Sequence, residues 1–432
     1  MERFVHSVTL EPRLCNGCTN CVKRCPTQAI RVKGGQAVIA AERCIDCGEC
    51  IRLCPHRAKR AVSEPLALLG HYQYRVAIVP PSLYVQYNHL ENQDRVLDAL
   101  LAAGFDDVFE EAAAAELLSD ATNRLLQTGS VEKPVISSAC PAVTRLIRVR
   151  FPELIDHVLP LVPPMELAAR MAKRRAAEKT GLAPQQIGCI ALVPCPAKVT
   201  MGRAPVGSSR SALDGAVAIA EIYPRLLNFM HEGEAPRPLA AAGAAGLAWA
   251  ASGGEAGNLA AAENQLVADG MESIIKVLED LEDEKYDSID FVELRACAGG
   301  CMGGSLQVEN PYIAKTKLKQ LQRGLPASCN RLAGGIPTEM LWDTDLTYAP
   351  VLELGATRGE RFERYNRMQT IQKSLPGLDC AACGAPSCAA LAEDVVRGQA
   401  QVTDCVVLRC RQLQAKLAAR PAAEQERQEA RV

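Results

Sequence analysis

Most of the 19 cysteines in this chain of 432 residues fall into groups whose spacing could hold metal. Two groups share one pattern, Cys-x-x-Cys-x-x-Cys-x-x-x-Cys-Pro, and comprise Cys15, Cys18, Cys21 and Cys25, then Cys44, Cys47, Cys50 and Cys54. Thiolate is the soft ligand that iron–sulfur clusters require. The two-residue spacings let the first three thiolates of each group bind one cluster from a tight loop. The fourth cysteine follows a helical turn and can reach a different cluster.

This internal repeat is the signature of bacterial two-cluster ferredoxins. It predicts two [4Fe-4S] clusters, the first held by Cys15, Cys18, Cys21 and Cys54 and the second by Cys44, Cys47, Cys50 and Cys25. Structural zinc is the alternative, but zinc would use four cysteines as two pairs, not two runs of four that each end in proline. The iron–sulfur interpretation is therefore favoured for this segment.

Four further cysteines are far apart in sequence but share one structural setting. Apolar runs predict strands at Lys133–Ser138, Gln186–Pro194 and Ser288–Arg295, and these strands open into the segments SSACP, CPAK and CAGGCMGG, which carry Cys140, Cys195, Cys297 and Cys301. Further strands are predicted at Tyr74–Ser82 and Asp107–Phe109, with helices at Asn92–Ala103, Glu111–Thr128, Met165–Lys179 and within Asn258–Glu284. This alternation predicts a parallel or mixed sheet, whose strand ends gather ligands. If the four cysteines converge there, they could hold a third cubane.

The segments SSACP, VPCPAK and ELRACAGGCMGG resemble the three signature motifs of the [FeFe] hydrogenase catalytic domain, and their order and spacing agree. The sequence PPS, ending at Ser82, lies where that family has its first cyanide-contacting loop. The resemblance covers roughly Tyr74 to Leu354, and an upstream ferredoxin module is usual in the family. It implies H2 oxidation and proton reduction at an H-cluster, which is a cubane joined to a two-iron subcluster with CO, cyanide and dithiolate ligands.

The resemblance also implies roles for particular residues. Cys140, Cys195, Cys297 and Cys301 match the cubane ligands, and Cys301 matches the cysteine that joins the cubane to the two-iron subcluster. Lys198 matches the lysine that hydrogen-bonds a cyanide, and Ser82 matches a partner of the other cyanide. Taken alone, Lys198 could be a surface lysine and Ser82 a turn residue.

Three departures from the family pattern affect the predicted function. High-turnover members have a proton-relaying cysteine at the position of Ala139, and alanine transfers no proton. The family has two methionines that pack on the two-iron site, and this chain has Val193 and Arg295 at those positions. The arginine could point inward or outward. The pattern resembles the sensory-type branch of the family. Glu166, Glu255 and Glu293 are candidate replacement proton carriers, although each could instead be a cap or surface carboxylate.

A last group comprises Cys380, Cys383, Cys388 and Cys405. It resembles the small four-cysteine iron–sulfur domain of electron-transfer subunits and sensory-type hydrogenases, with zinc as the alternative. A helix over Ala389–Gly398 is expected to cover the cluster. Cys189 is expected in the core, and Cys329 and Cys410 have no assigned role.

Composition excludes several other classes of protein. A net charge of −2 gives no basic excess for nucleic acid, and 4% aromatic residues give little for base stacking. The N-terminus has no apolar signal core, and the uncharged stretches Thr180–Ala197 and Pro238–Gly254 are not apolar enough to span a bilayer. A cytoplasmic protein with reduced thiols is expected.

The expected fold is α/β and multidomain. It consists of a two-[4Fe-4S] ferredoxin domain (residues 1–65), a two-lobed α/β hydrogenase H-cluster domain (72–355), a small helical four-cysteine [4Fe-4S] domain (365–411) and a charged helical or disordered tail (412–432). A linker is predicted at Ser63–Gln73. No signalling domain follows the last cysteines, so any output is expected to go to a separate signalling protein.

Two functional hypotheses remain. The first is an [FeFe] hydrogenase that activates H2 slowly, as a hydrogen or redox sensor, with electrons relayed through three accessory [4Fe-4S] clusters. Its partners would be H2 and protons, a ferredoxin or another electron-transfer subunit, and hydrogenase maturation enzymes. The alternative is a non-catalytic electron-transfer or cluster-assembly protein that lacks the two-iron subcluster. Cys301, Lys198 and Ser82 favour the first.

Overall fold

The computed structural model describes residues 6–230, 235–286 and 288–429, with side chains as far as residue 418. The described residues form the strands β1 (Val8–Leu10), β2 (Ile30–Lys33), β3 (Gln36–Ile39), β4 (Lys59–Ala61), β5 (Tyr74–Val79), β6 (Asp107–Glu110), β7 (Val135–Ile136), β8 (Ile187–Val193), β9 (Gly215–Ala218), β10 (Gln265–Asp269) and β11 (Phe291–Arg295).

The α-helices alternate with these strands over most of the chain. They are α1 (Asn20–Lys23), α2 (Glu49–Arg52), α3 (Pro81–Tyr84), α4 (Asp94–Ala102), α5 (Glu111–Thr128), α6 (Pro141–Arg150), α7 (Pro164–Thr180), α8 (Pro196–Arg203), α9 (Ile219–Leu227), α10 (Ala244–Ala248), α11 (Met271–Glu282), α12 (Pro311–Leu321), α13 (Arg358–Ser374), α14 (Cys388–Val396) and α15 (Val406–Glu429). None of the described helices is long and apolar enough to cross a membrane.

The chain divides into two compact units. The larger unit comprises Met1–Thr9, Cys44–Arg52 and Arg60–Ala349; the smaller unit comprises Leu10–Arg43, Leu53–Lys59 and Pro350–Val432. The larger unit therefore includes one of the two ferredoxin-type cysteine loops. The domain boundaries expected from the sequence remain a prediction.

The larger unit contains two parallel sheets. One has the strand order β6-β5-β8-β9 and the other has the order β10-β11-β7, and every pairing in both is parallel. All seven residues of β8 are buried, as expected for an apolar strand covered on both faces. The predicted alternation of strands and helices, and with it the α/β fold class, is confirmed.

Prolines account for two differences between the predicted and observed strands. The strand predicted as Tyr74–Ser82 ends at Val79, because Pro81 occupies the first turn of α3, where a missing N–H costs nothing. The strand predicted as Lys133–Ser138 is only Val135–Ile136, and Pro134 before it has no N–H to donate to a ladder. Both changes leave the chemically important residues in loops or at helix starts.

In the smaller unit, the C-terminal helices pack on the hairpin β2–β3. The backbone N–H of Val32 donates to the carbonyl of Gly384 at 2.9 Å. Arg31 forms two hydrogen bonds with the Asp394 carboxylate, at 2.6 and 3.0 Å. A Cβ at Gly384 would overlap the carbonyl oxygen of Val32, and the φ of +86° at this position also favours glycine.

Candidate active site and cluster sites

The four dispersed cysteines all lie just after parallel strands of the larger unit. Cys140 precedes α6 and Cys195 precedes α8, whereas Cys297 and Cys301 follow β11 in the loop and 3-10 turn that continue from it. Burial is the largest cause that raises the pKa of the Cys195 thiol. The neighbouring thiols of Cys297, Cys301 and Cys140 raise it further. The four thiols therefore share one electrostatic environment, and their role as the ligands of a single cubane remains a prediction.

The surroundings of these cysteines fit an iron–sulfur cluster. Burial raises the pKa of Cys297 to about 11 and also raises the pKa of Cys301, so an unliganded set would hold its protons. Iron binding releases such protons and pairs the thiolates with cations. Gly300 has φ +86°, and a Cβ there would lie 2.6 Å from Ala250 O, so the loop approaches its neighbours closely. The donor set is the one expected for a cubane.

A cavity beside Cys301 brings together the residues that the sequence predicts for a two-iron site. Its lining includes Ser82, Ala139, Lys198, Trp249, Arg295 and Cys301. The Ser82 hydroxyl is buried and has no hydrogen-bond partner within the described part of the chain. A buried, unpartnered hydroxyl costs free energy unless a ligand accepts or donates a hydrogen bond. Ser82 is thus an available donor in the cavity rather than an ordinary turn residue.

Lys198 is buried in the same cavity. Its ammonium group lies 2.5 Å from the Glu111 carboxylate, and the two side chains are 6% and 8% exposed. Burial lowers the pKa of Lys198, but Glu111 and the Cys301 thiol raise it above its ordinary value. Lys198 therefore remains a cationic donor, and the alternative of a surface lysine is wrong.

Arg295 points inward, which answers a question that the sequence left open. It is buried, lines the cavity, and donates to Glu255 Oε2 and Glu293 Oε1 at 2.9 Å each. Its guanidinium carbon lies 5.7 Å from the centre of the Trp249 ring. Arg295 thus places a second cation at the cavity wall.

The two carboxylates on Arg295 are not equivalent. Glu293 also accepts hydrogen bonds from the backbone N–H groups of Gly253 and Ala256. Among the described residues, Glu255 accepts one further hydrogen bond, from the Ser137 hydroxyl at 2.7 Å. Burial, partly opposed by Arg295, raises the pKa of Glu255 to about 7. One guanidinium compensates the charge of only one of the two buried carboxylates. The other carboxylate can therefore bind and release a proton.

All three candidate proton carriers are buried, so their interpretation as surface carboxylates is wrong. Glu166 accepts from Arg170, from the Ser211 hydroxyl and from the backbone N–H of Ala212. Its partners differ from those of Glu255 and Glu293. Ala139 is also buried, and its backbone N–H donates to the Ser137 hydroxyl at 3.2 Å.

Two further cysteine sets each line a cavity of the smaller unit. The first set is Cys15, Cys18, Cys21 and Cys54, and the second is Cys380, Cys383, Cys388 and Cys405. Each cavity therefore brings together the four cysteines of one predicted ligand set, and the metal that they hold remains a prediction. Cys44, Cys47 and Cys50 belong to the larger unit and Cys25 to the smaller, so the second ferredoxin-type set remains a prediction.

The remaining cysteines lie outside these sets. Cys189 is fully buried in β8, as expected for a core residue, and burial raises its pKa to about 12. Cys329 and Cys410 are exposed.

Sequence reasoning missed Glu111, Trp249 and Arg52. Glu111 follows directly on β6, at the same edge of the sheet as the loops after β5 and β8. That position was a usable signal, since polar groups at carboxyl strand ends gather around ligands. Trp249 lies in an alanine-rich segment without periodicity. Arg52 lies 245 residues before Cys297 in the chain, so no local pattern points to their contact.

Comparison with protein families identifies three segments. Residues 73–254 and 255–305 match the iron-only hydrogenase large subunit, C-terminal domain. Residues 7–55 match a 4Fe-4S dicluster domain, and residues 375–407 match a putative Fe-S cluster family.

Individual relatives agree with these families. Iron hydrogenase 1 of Clostridium pasteurianum is 24% identical over 386 residues, which cover 72% of this chain and 66% of the relative. The cytosolic Fe-S cluster assembly factor NAR1 of Neosartorya fischeri is 33% identical over 92 residues, which are 21% of this chain and only 15% of the relative. A glutamate-to-glutamine variant of [FeFe]-hydrogenase HydA1 from Chlamydomonas reinhardtii has a TM-score of 0.53 at 17% identity and covers 67% of this chain and 100% of that structure. That likeness concerns the fold alone.

Proposed function

Because the chain belongs to the iron-only hydrogenase large-subunit family, we propose that it is a hydrogenase-type redox enzyme that reversibly activates H2 at an H-cluster. The observation that carries the proposal is the cavity in which Cys301, Lys198 and the unpartnered Ser82 hydroxyl lie together. Cys140, Cys195, Cys297 and Cys301 would hold the cubane, and Cys301 would also hold the two-iron subcluster. When bound, that subcluster supplies the heterolytic splitting of H2.

The side chains of the cavity would hold and orient the diatomic ligands. Lys198 is a buried cation whose ammonium group has donors beyond the one it gives to Glu111. Ser82 offers a second donor in the same lining. A charge-assisted donor in a dry cavity is worth roughly twice a neutral one, so Lys198 would dominate recognition of an anionic cyanide.

Proton transfer in this chain would bypass the position of Ala139. Glu255 is the candidate replacement, because its pKa of about 7 allows it to gain and lose a proton near neutral pH. Its hydrogen bonds run to Ser137 and to Arg295, which lines the cavity. Glu166 lacks these partners and is the weaker candidate.

Slow turnover is the expected consequence, which suits a hydrogen or redox sensor. Loss of a positioned acid–base group typically costs about 100- to 10,000-fold in rate. Electrons would pass through three accessory [4Fe-4S] clusters to a ferredoxin or another electron-transfer subunit, and maturation enzymes would deliver the two-iron subcluster. A cytoplasmic location is proposed because thiols that serve as cluster ligands stay reduced there.

Infrared spectroscopy of matured protein tests this proposal. Bands from CO and cyanide should be present in the wild type and absent in Cys301→Ala, whereas the electron paramagnetic signals of the accessory clusters should remain. Steady-state turnover of the same matured protein should be measurable but slow. Native bands in Cys301→Ala would contradict the site assignment, and a rate equal to high-turnover hydrogenases would contradict the sensory role.

A cluster-assembly role is the second candidate, and the 33% identity to the NAR1 factor favours it. Such a protein would hold the cubanes without a two-iron subcluster. Wild-type protein that has been exposed to the complete maturation system and still shows no CO or cyanide bands would support this role.

A further inference from the structure

Arg52 connects a ferredoxin-type cysteine loop to a ligand of the catalytic cubane within the larger unit. It ends α2, which also carries Cys50. One guanidinium nitrogen lies 3.5 Å from the Cys297 sulfur, and the other terminal nitrogen donates to the carbonyl of Gly303 at 2.9 Å. The guanidinium is also 3.4 Å from the Glu49 carboxylate, and the Arg52 side chain is 28% exposed.

The same two loops are in close contact at Gly48. Gly48 has φ +77°, and a Cβ there would lie 2.5 Å from Ser305 Oγ and 3.2 Å from Pro196 Cδ. Pro196 follows the cubane ligand Cys195, and Ser305 follows the turn that contains Cys301. The loop with Cys47 and Cys50 is therefore fixed against the loops that hold the cubane, and Arg52 reaches the sulfur from a defined position.

We infer that Arg52 is a positioning residue for electron transfer, which tunes the cubane through its hydrogen bond to Cys297. This inference rests on the proposed function, since it assumes a [4Fe-4S] cubane on Cys140, Cys195, Cys297 and Cys301. A cationic N–H directed at a thiolate stabilises the more negative, reduced state of a cluster and therefore raises its reduction potential.

The same contact provides a route for the electron. The covalent chain from Cys50 through Arg52 continues across one hydrogen bond to Cys297. One electron from a reduced ferredoxin-type cluster would leave that cluster and reduce the cubane, and no bond would form or break. A raised potential of the cubane favours transfer in this direction.

The electrostatic environment of Arg52 agrees with this role. The guanidinium lies 3.5 Å from the Cys297 sulfur and 3.4 Å from the Glu49 carboxylate, and an arginine side chain is protonated at any physiological pH. It therefore presents a permanent positive charge to the Cys297 sulfur. A purely structural tie would need only the bonds to Glu49 and to the Gly303 carbonyl.

A redox titration followed by electron paramagnetic resonance tests the inference. The probe is the full-length chain loaded with cubanes but without the two-iron subcluster, so the result does not depend on turnover. The spectral component that disappears in Cys140→Ala is assigned to the catalytic cubane. Arg52→Gln removes the charge, Arg52→Lys keeps it without the paired donors, and Arg75→Gln, which breaks an ion pair with Asp106, is the matched control.

Arg52→Gln should change the ratio of reduced to oxidised catalytic cubane at fixed potential by up to about tenfold, which is a lowering of 59 mV for a one-electron couple. Arg52→Lys should shift it less, and Arg75→Gln should leave it unchanged. An unshifted potential in Arg52→Gln, or a shift confined to the accessory clusters, would overturn the inference.

The two proposals fail in different ways. If no spectral component disappears in Cys140→Ala, the chain has no catalytic cubane and the proposed function itself fails. If that component is present and matured protein shows CO and cyanide bands, but Arg52→Gln leaves its potential unchanged, only the role of Arg52 is lost.

Discussion

The cavity beside Cys301 contains two buried cations, and each has a different electrostatic balance. Lys198 pairs with one carboxylate, Glu111. Arg295 pairs with two, Glu255 and Glu293. The first pair is neutral with both groups ionised, whereas the second set carries one negative charge unless it binds a proton. Under the proposed function, Arg295 would thus link the cavity wall to a carboxylate that can exchange a proton.

Glu255→Gln should lower the turnover rate and remove the dependence of that rate on pH near pH 7. Because the pKa of Glu255 is raised to about 7, it holds its proton below that pH and loses it above. As pH rises through about 7, wild-type H2 evolution should therefore fall and H2 oxidation should rise. The variant should be slower in both directions, by about 100-fold or more, and should lack this transition.

The control for that experiment is Glu166→Gln, which alters a buried carboxylate bound to Arg170. It should leave the pH profile of turnover unchanged. Equal loss of rate in both variants, or retention of the transition in Glu255→Gln, would exclude Glu255 as the proton carrier.

The stability of the folded protein should also depend on Glu255. Between about pH 4.5 and about pH 7 the folded state holds a proton on Glu255 that the unfolded state has released. The contribution of Glu255 to the free energy of unfolding therefore falls as pH rises across this window. Glu255→Gln should flatten that part of the profile of unfolding midpoint against pH, and an unchanged slope would argue against the raised pKa.

Lys198→Met should destabilise the larger unit, because it leaves the buried Glu111 carboxylate without its cation. Removing one partner of a buried ion pair typically costs about 3–5 kcal/mol. The double variant Lys198→Met with Glu111→Gln should recover a large part of this loss. Anaerobic denaturant unfolding measures both.

Lys133→Met is the comparison for this pair, since Lys133 is 50% exposed in its ion pair with Asp290. It should change the free energy of unfolding by less than about 1 kcal/mol. If the single and double variants at Lys198 and Glu111 were equally destabilised, the effect would come from packing of the lysine chain rather than from the unpaired charge.

At the scale of elements, the sequence predicts most of the strands and helices around the site and predicts poorly which side chains line the space beyond the strands. The helix Glu111–Thr128 has the predicted bounds, and the strands before Cys195 and Cys297 lie where their apolar runs indicate. Their loops carry cysteines at recognisable spacings. The strand β10 was missed because its sequence, QLVAD, is only half-buried and lacks the apolar run of a central strand.

The direction of side chains was not predictable in the same way. Arg295 alternates with Leu294 on a strand that is buried on both faces, so the two-residue period gives it no outward side. Its orientation depends on Glu255, which is 40 residues earlier in the chain. A contact between distant segments of this kind leaves no local pattern, and the same holds for Arg52 and Cys297.

The packing of α14 on the hairpin β2–β3 gives a prediction for the smaller unit. Asp394→Asn should weaken the pair with Arg31, whose side chains are 12% and 7% exposed, by roughly 3 kcal/mol. Amide hydrogen exchange should then accelerate in both β2 and α14, since their docking surface is loosened. Asp280→Asn, in an exposed ion pair of the larger unit, should leave these rates unchanged.

Acceleration confined to α14 would contradict this account. It would mean that the hairpin is held by its own ladder, in which four residue pairs join β2 to β3, and not by the helix.

At the scale of the molecule, each of the two compact units contains at least one cavity lined by cysteine. The larger unit contains the four cysteines predicted to hold the catalytic cubane and the loop with Cys44, Cys47 and Cys50. The smaller unit holds the first ferredoxin-type set and the C-terminal set. Each unit therefore contains cysteine sets of the kind that the proposed function requires.

Iron content tests that distribution directly. Three accessory cubanes and a complete H-cluster give about 18 Fe per chain, counted from [4Fe-4S] occupancy of each set. The C-terminal set is the one for which zinc is the main alternative, because its spacing alone does not exclude a tetrahedral zinc site. Zinc there would lower the content by about 4 Fe and add one zinc per chain. Anaerobic metal analysis of reconstituted, matured protein should therefore give the higher iron count and no zinc.

Cys383→Ala should lower the iron content by about 4 Fe while the CO and cyanide bands persist, since its cavity belongs to the smaller unit. Unchanged iron with loss of zinc in that variant would show that the last cysteine group is a structural metal site and that the chain carries two accessory clusters rather than three.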